Sequence, residues 1–219
     1  MKTQNIDRLA TEMHLLDFPT LIRRFLYDQL YPDNILSSSD VPLTECPSFA
    51  GRIRVHNSAV ATFHGPCDPS GIGGMRREHI RAVSSWRKGP GRHDCVYLNR
   101  DPSSPGVRGM DVVQVLIFFA FDYCDTAYSC ALVRWFRVIG DKPDEDTGMW
   151  IVEPEVNADG SPVLSVIHLD CIIRAAHLLG VTSTDMFLPM SAHFSQSLAS
   201  FKAFYLNRFI DHHAFQIVT

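Results

Sequence analysis

The stretch "GDKPDEDTGMW", Gly140 to Trp150, gathers Asp141, Asp144, Glu145 and Asp146 between two apolar runs. Carboxylates this close can hold a hard cation or share acid and base work. A calcium loop starting at Asp144 would use Asp146 at position 3 and Glu155 at position 12. Position 5, however, falls on Gly148, and the glycine required at position 6 is Met149. Pro143 and Asp-Thr-Gly supply turn chemistry instead. The stretch therefore reads as a solvated loop joining two strands of a hairpin, and no metal is expected there.

The second concentration of charge is basic. "RREHIRAVSSWRKGPGR" holds Arg76, Arg77, Arg81, Arg87, Lys88 and Arg92 against the single acid Glu78. This segment carries +5 in a chain whose net charge is -4, so the remainder carries -9. With Trp86 available for stacking, Arg76, Arg77, Arg81, Trp86, Arg87, Lys88 and Arg92 form the candidate nucleic-acid-binding set. The alternative is a solvated segment whose arginines pair with acids elsewhere. Gly71, Gly73 and Gly74 precede the segment, but a dinucleotide fingerprint would need glycine at Arg76, and no Gly-Lys-Ser/Thr follows.

Other chemistry-bearing types lack the necessary spacing. Neither His168 with Asp170 nor Asp211 with His212 and His213 has the i, i+4 arrangement that brings two ligands to one helical face. No GxSxG elbow occurs, and Cys67 has only its nearness to His64 to suggest a nucleophile. No catalytic residue, cofactor or metal is assigned. The six cysteines, Cys46, Cys67, Cys95, Cys124, Cys130 and Cys171, contain no CxxC pair and read as free thiols in a reducing compartment. Tyr97, Phe119, Tyr123, Tyr128, Trp135, Phe136 and Trp150 could cage a methylated lysine only by converging at one rim, whereas alternation along strands sends about half of them into a core.

These residues need a scaffold, and a chain of 219 residues that is 46% hydrophobic can bury one sizeable core or two small ones. The most apolar run, Val112 to Phe121, is far shorter than the roughly 20 residues of a membrane-spanning helix. Ile6, Leu9, Ala10, Met13 and Leu16 share one helical face, and Pro19 permits a second helix with Ile22, Phe25, Leu26 and Leu30 inward. Pro32 to Ser48 cannot continue that helix, which predicts an N-terminal helical segment and linker over 1–48 and a mixed α+β domain over 49–219. "RIRVHNSAVATFH", "DCVYL", "VVQVLIFFAF", "AYSCALVRWFRVI", "MWIVEPE" and "VLSVIH" read as strands of a mostly antiparallel sheet. "FDYCDTAY" turns the chain between the third and fourth of these. "LDCIIRAAHLLG" reads as a helix with Leu169, Ile172, Ile173, Ala176 and Leu179 inward and Gly180 as its C-terminal cap. A last helix is expected near Ser200 to Ile210, with Phe201, Phe204, Tyr205 and Phe209 on one side. The fold class is therefore α+β: an antiparallel β-sheet or small β-barrel with an N-terminal helical hairpin and C-terminal helices.

The blocks "SAVATFHGPCDPSGIGGMRREHIRAVSSW", "CALVRWFRVIGDKPDEDTGMWIVEP", "VIHLDCIIRAAHLL" and "FYLNRFIDHHAF" resemble the carboxyl-terminal region of fungal Plavaka-type transposases, related to proteins associated with KDZ elements. The resemblance runs from about Phe25 to the end. It implies descent from a mobile-element protein, as a fragment or a degenerate copy. It further implies an intracellular, nuclear setting, with DNA, a transposase catalytic domain or another protein as partner and no membrane. Transposases of that kind carry their catalytic carboxylates on an RNase H-like domain ahead of the matched region, and no catalytic role transfers to Asp111, Asp170 or the acidic loop. The family's short Tyr-Gly segment after "AAHL" is replaced here by "LLGVTSTDMFLP". The expectation is a non-catalytic accessory module, with a chromatin-type β-barrel interaction module and a divergent enzyme as alternatives.

Overall fold

The computed structural model describes residues 2–65, 73–182 and 197–219. Strand β1 (Lys2–Asn5) leads into α1 (Ile6–Glu12), whose first turn is capped by Asn5 accepting from the Asp7 and Arg8 amides. Helix α2 (Phe18–Leu30) follows with Pro19 in its first turn. Next come β2 (Arg52–His56), β3 (Ser58–His64), β4 (Met75–Val83), β5 (Arg92–His93) and β6 (Cys95–Asn99). Two long strands dominate the middle, β7 (Met110–Tyr123) and β8 (Thr126–Ile139). The chain then forms β9 (Ile151–Pro154), β10 (Leu164–His168), β11 (Ile172–Ala176) and β12 (Leu178–Gly180). It ends with α3 (Ser197–Ser200), β13 (Phe204–Leu206) and α4 (His212–Val218). The α+β class and the curled antiparallel sheet agree with the sequence reading.

The β7–β8 hairpin organises everything else. It turns through Cys124 and Asp125, both at positive φ (47° and 60°), a two-residue turn whose twist suits paired strands without any glycine. Its register shifts between Val115 and Ile117, and this bulge reverses which alternate residues face which side. Met110 and Val112 before it, and Ile117, Phe119 and Phe121 after it, thus face one side of the sheet, while Val113, Val115 and Phe118 face the other.

Three cores result. Helices α1 and α2 lay Ile6, Leu9, Phe18, Ile22 and Phe25 against Phe119, Phe121 and Leu132, with Phe18 edge-on to Phe119 at 5.2 Å. Residues assigned by sequence to the helical segment and to the sheet domain thus share one core. On the opposite side Ile80 and Ala82 of β4 pack on Val96, Val113 and Val133. The third core lies inside a half-barrel, where Tyr97, Val112, Phe136, Val152, Phe204 and Leu206 meet the C-terminal Val218. Strand β6 pairs with β11, and β13 with β12. Only His177 separates β11 from β12, so the sheet's two lateral ends meet in one run of chain.

Two expected helices are strands and turns. Residues Leu169–Cys171 make one 3-10 turn, and Ile172 onward extends to pair with β6 instead of coiling. The apolar spacing of "LDCIIRAAHLLG" suits either period over so short a run, and the β-branched Ile172 and Ile173 favour extension once β6 offers an edge. Arg174, which a helix would have exposed, is buried opposite Tyr97, and Leu179, expected inward, is exposed. The expected helix over Ser200 to Ile210 is likewise replaced by β13. Asn207 ends that strand by accepting from the Phe209 amide at 3.0 Å, and α4 begins only after Asp211.

Candidate nucleic-acid interface

Strand β4 runs through the basic segment and sorts its charges by alternation. Ile80 and Ala82 are buried against the sheet, so residues of the same parity, Arg76 and Glu78, turn inward, while Arg77, His79 and Arg81 turn outward. Glu78 accepts the Ala175 amide at 2.9 Å and lies 3.6 Å from the Arg174 guanidinium. Arg76 lies close enough to Asp211 to help hold that carboxyl low. The one acid of the segment is therefore removed from the face that carries Arg77 and Arg81.

Beyond β4 the chain turns at Trp86. The Gly89 amide donates to the Trp86 carbonyl (2.8 Å) and the Trp86 amide to the Pro90 carbonyl (3.0 Å), closing a tight turn. Its two central residues, Arg87 and Lys88, have φ of 51° and 64°, the left-handed region that glycine or asparagine fills at least cost. Three guanidinium groups gather round the Trp86 indole: Arg81 at 4.7 Å from the ring centroid, Arg87 at 5.5 Å and Arg92 at 5.6 Å. Asp94 braces this edge, accepting from Arg92 Nε at 2.7 Å and from the Arg81 amide at 2.9 Å. Of the sequence-derived set, then, Arg81, Trp86, Arg87 and Arg92 come together, Lys88 stands at the same tip, Arg77 shares their face and Arg76 does not. The exposed glycine turn before β4 retains Gly73 and Gly74 at positive φ, while Gly71 and Cys67 lie outside the described residues.

The arrangement offers fixed positive charge and one half-buried indole, which suits phosphates and the flat faces of bases.

Sequence reasoning missed a second charged assembly. Arg174, only 3% exposed, is bonded at both terminal nitrogens to Asp211, at 2.8 and 2.6 Å. Its plane lies 4.6 Å over Phe63, and Phe63 stacks on the His213 ring at 4.5 Å. Hydrogen bonds from Arg174 hold the Asp211 carboxyl down at about 2, and burial together with the Arg174 charge lowers the His213 imidazole. Asp211 also caps α4 by accepting the Ala214 amide. Only the adjacency of Asp211, His212 and His213 was visible in the sequence, and it carried no sign of Arg174.

The acidic loop forms the hairpin connection between β8 and β9, whose register includes Val138↔Val152 and Ile139↔Ile151. Asp144 accepts from the Thr147 amide (2.9 Å) and hydroxyl (2.7 Å), which lowers its carboxyl, while Lys142 pairs with Glu145. Among the described residues no three metal-ligating side chains converge. Burial pushes the Cys95 and Cys130 thiols up to about 12. The seven aromatics divide among cores: Tyr97, Phe136 and Trp150 in the half-barrel, Phe119, Tyr123 and Tyr128 under the helices, and Trp135 against the β4 layer. They meet at no common rim.

Family models, curated proteins and solved structures were each compared with this chain, and none gives a match. No helix among the described residues is long and apolar enough to cross a membrane.

Proposed function

We propose that this chain is a non-catalytic binding module of a transposase-related protein, contacting nucleic acid through the outward face of β4 and the Trp86 turn. The observation that carries the reading is the inward turn of Glu78, which leaves Arg77, Arg81, Arg87, Lys88 and Arg92 facing outward with Asp94 as the acid among them. The left-handed backbone at Arg87 and Lys88 supports it, because two strained positions hold cations where the fold alone would favour Asn-Gly. The resemblance of the sequence blocks to Plavaka-type transposases supplies the setting, a nuclear protein working on DNA beside a catalytic domain or another partner. Binding of this kind is weak and tolerant of sequence, since phosphate contacts release counterions without reading bases. Fluorescence anisotropy with single-stranded and duplex DNA of mixed sequence, at stepped salt, tests it. Log affinity should fall linearly with log salt, and the lack of any binding at low salt would sink the proposal.

A further inference from the structure

Strand β3 is the outer strand of a three-stranded sheet ordered β3-β4-β5, so among the described residues one of its edges pairs with no other strand, although β11 packs nearby. The Ala82 amide donates to the Asn57 carbonyl (3.0 Å) and the Gly65 amide to the Gly74 carbonyl (2.7 Å), which fixes the bonded pairs of this ladder. In an antiparallel pair, bonded and non-bonded residues alternate, so Ala59, Ala61 and Phe63 exchange bonds with β4. Ser58, Val60, Thr62 and His64 therefore aim their N–H and C=O groups at the free edge, and no hydrogen bond among the described residues takes those of Val60 or Thr62.

A groove of about 400 Å³ runs along this edge and is lined by Ala59, Val60, Ala61 and Thr62 in succession. Consecutive strand residues point to opposite faces, so four in a row can line one groove only where it follows the backbone itself. Ile80, Leu169 and Ile172 add apolar surface to the groove, and Ser129 and Asp170 complete its lining. Strand edges of this kind are normally covered or blunted by charge or proline, and β3 carries neither device.

We propose that the free edge of β3 takes an extended acidic peptide from a partner protein as an added strand. Backbone bonds to Val60 and Thr62 would hold the peptide, and its alternate apolar side chains would enter the groove. The acidic preference follows from charge complementarity on the opposite face. Arg81, His79 and Arg77 stand across from Ser58, Val60 and Thr62, two strand spacings or roughly 10 Å from the added strand. An arginine and a glutamate together span that distance. Asp170, the acid in the lining, stands 3.3 Å from His168. The peptide would share Arg77 and Arg81 with the proposed nucleic-acid face, whereas Trp86, on which Arg81 stacks, lies outside the groove.

The test uses the whole chain and three blocked octapeptides: alternating glutamate and valine, alternating lysine and valine, and the first of these N-methylated at every second residue. The glutamate peptide should bind in an anisotropy titration and should slow hydrogen exchange at the Val60 and Thr62 amides. The N-methylated and lysine peptides should each bind at least about tenfold more weakly, because one lacks the donors and the other the charge match. Val60→Pro, which removes only an edge-facing donor, should weaken the glutamate peptide similarly. Trp86→Ala should leave it unchanged. Equal binding of the N-methylated or lysine peptide would overturn the proposal. So would Val60 and Thr62 amides protected before any peptide is added, with sedimentation showing a dimer, because a second copy would then occupy the edge.

Discussion

Arg174 and Asp211 form a two-point pair, 2.8 and 2.6 Å, in which the arginine is 3% exposed and the carboxylate opens helix α4. The pair joins three layers, since Arg174 belongs to the half-barrel wall, touches Phe63 and Glu78 of the β3–β4 hairpin, and holds the start of the last helix. Removing one partner of a buried ion pair leaves an uncompensated charge. Asp211→Ala should therefore destabilise the protein by about 3 kcal/mol, measured as a lower urea midpoint. An unchanged midpoint would mean that Glu78 alone satisfies Arg174.

The same pair has a pH signature. The Asp211 carboxyl lies at about 2 in the folded chain, below its ordinary 3.8, so its contribution is complete above pH 4 and is lost as pH falls from 4 through 2. The size of that contribution is roughly 2 kcal/mol. Asp211→Asn should be less stable than the parent at pH 6, and the gap should narrow steadily toward pH 2. A constant gap across this range would assign the stabilisation to other carboxylates.

The Trp86 turn should trade stability against binding. Replacing Arg87 and Lys88 by Asn and Gly relieves two left-handed cations and should raise stability by about 1 kcal/mol. It should also weaken DNA binding and flatten the salt dependence by one to two charges. Higher stability with unchanged affinity would remove the turn from the interface.

Parity along β4 separates neighbours. Arg77→Glu should weaken DNA binding strongly, whereas Arg76→Gln, on the face turned to α4, should leave affinity within about twofold. Trp86→Ala should reduce single-strand binding more than duplex binding, because stacking needs an unpaired base. Equal losses from Arg76 and Arg77 would contradict the alternation.

The acidic loop should bind no metal tightly. Asp144 already serves Thr147, and the remaining carboxylates stand in solvent with no convergence. Calorimetric titration with calcium, magnesium and manganese should be flat, and a micromolar site lost in the Asp144→Asn, Asp146→Asn double variant would reverse that assignment.

Sequence alone settled what depends on neighbours in the chain. The helical period of α1 and α2, the alternation of β7 and β8, and the turn character of "GDKPDEDTGMW" are local patterns, and local patterns decide period and turn. Leu16 and Leu30, expected inward, are exposed, because α1 stops at Glu12 and Leu30 is the last residue of α2. Only tertiary structure decided the rest. The run from Leu169 to Gly180 suits helix or strand on its own, and the choice came from β6, a pairing partner far away in sequence. The Arg174–Asp211 pair spans 37 positions and the Glu78–Ala175 bond 97, separations across which no spacing rule operates. Composition located the positive charge, but the side to which β4 turns Glu78 was set by which of its alternate residues the sheet could bury.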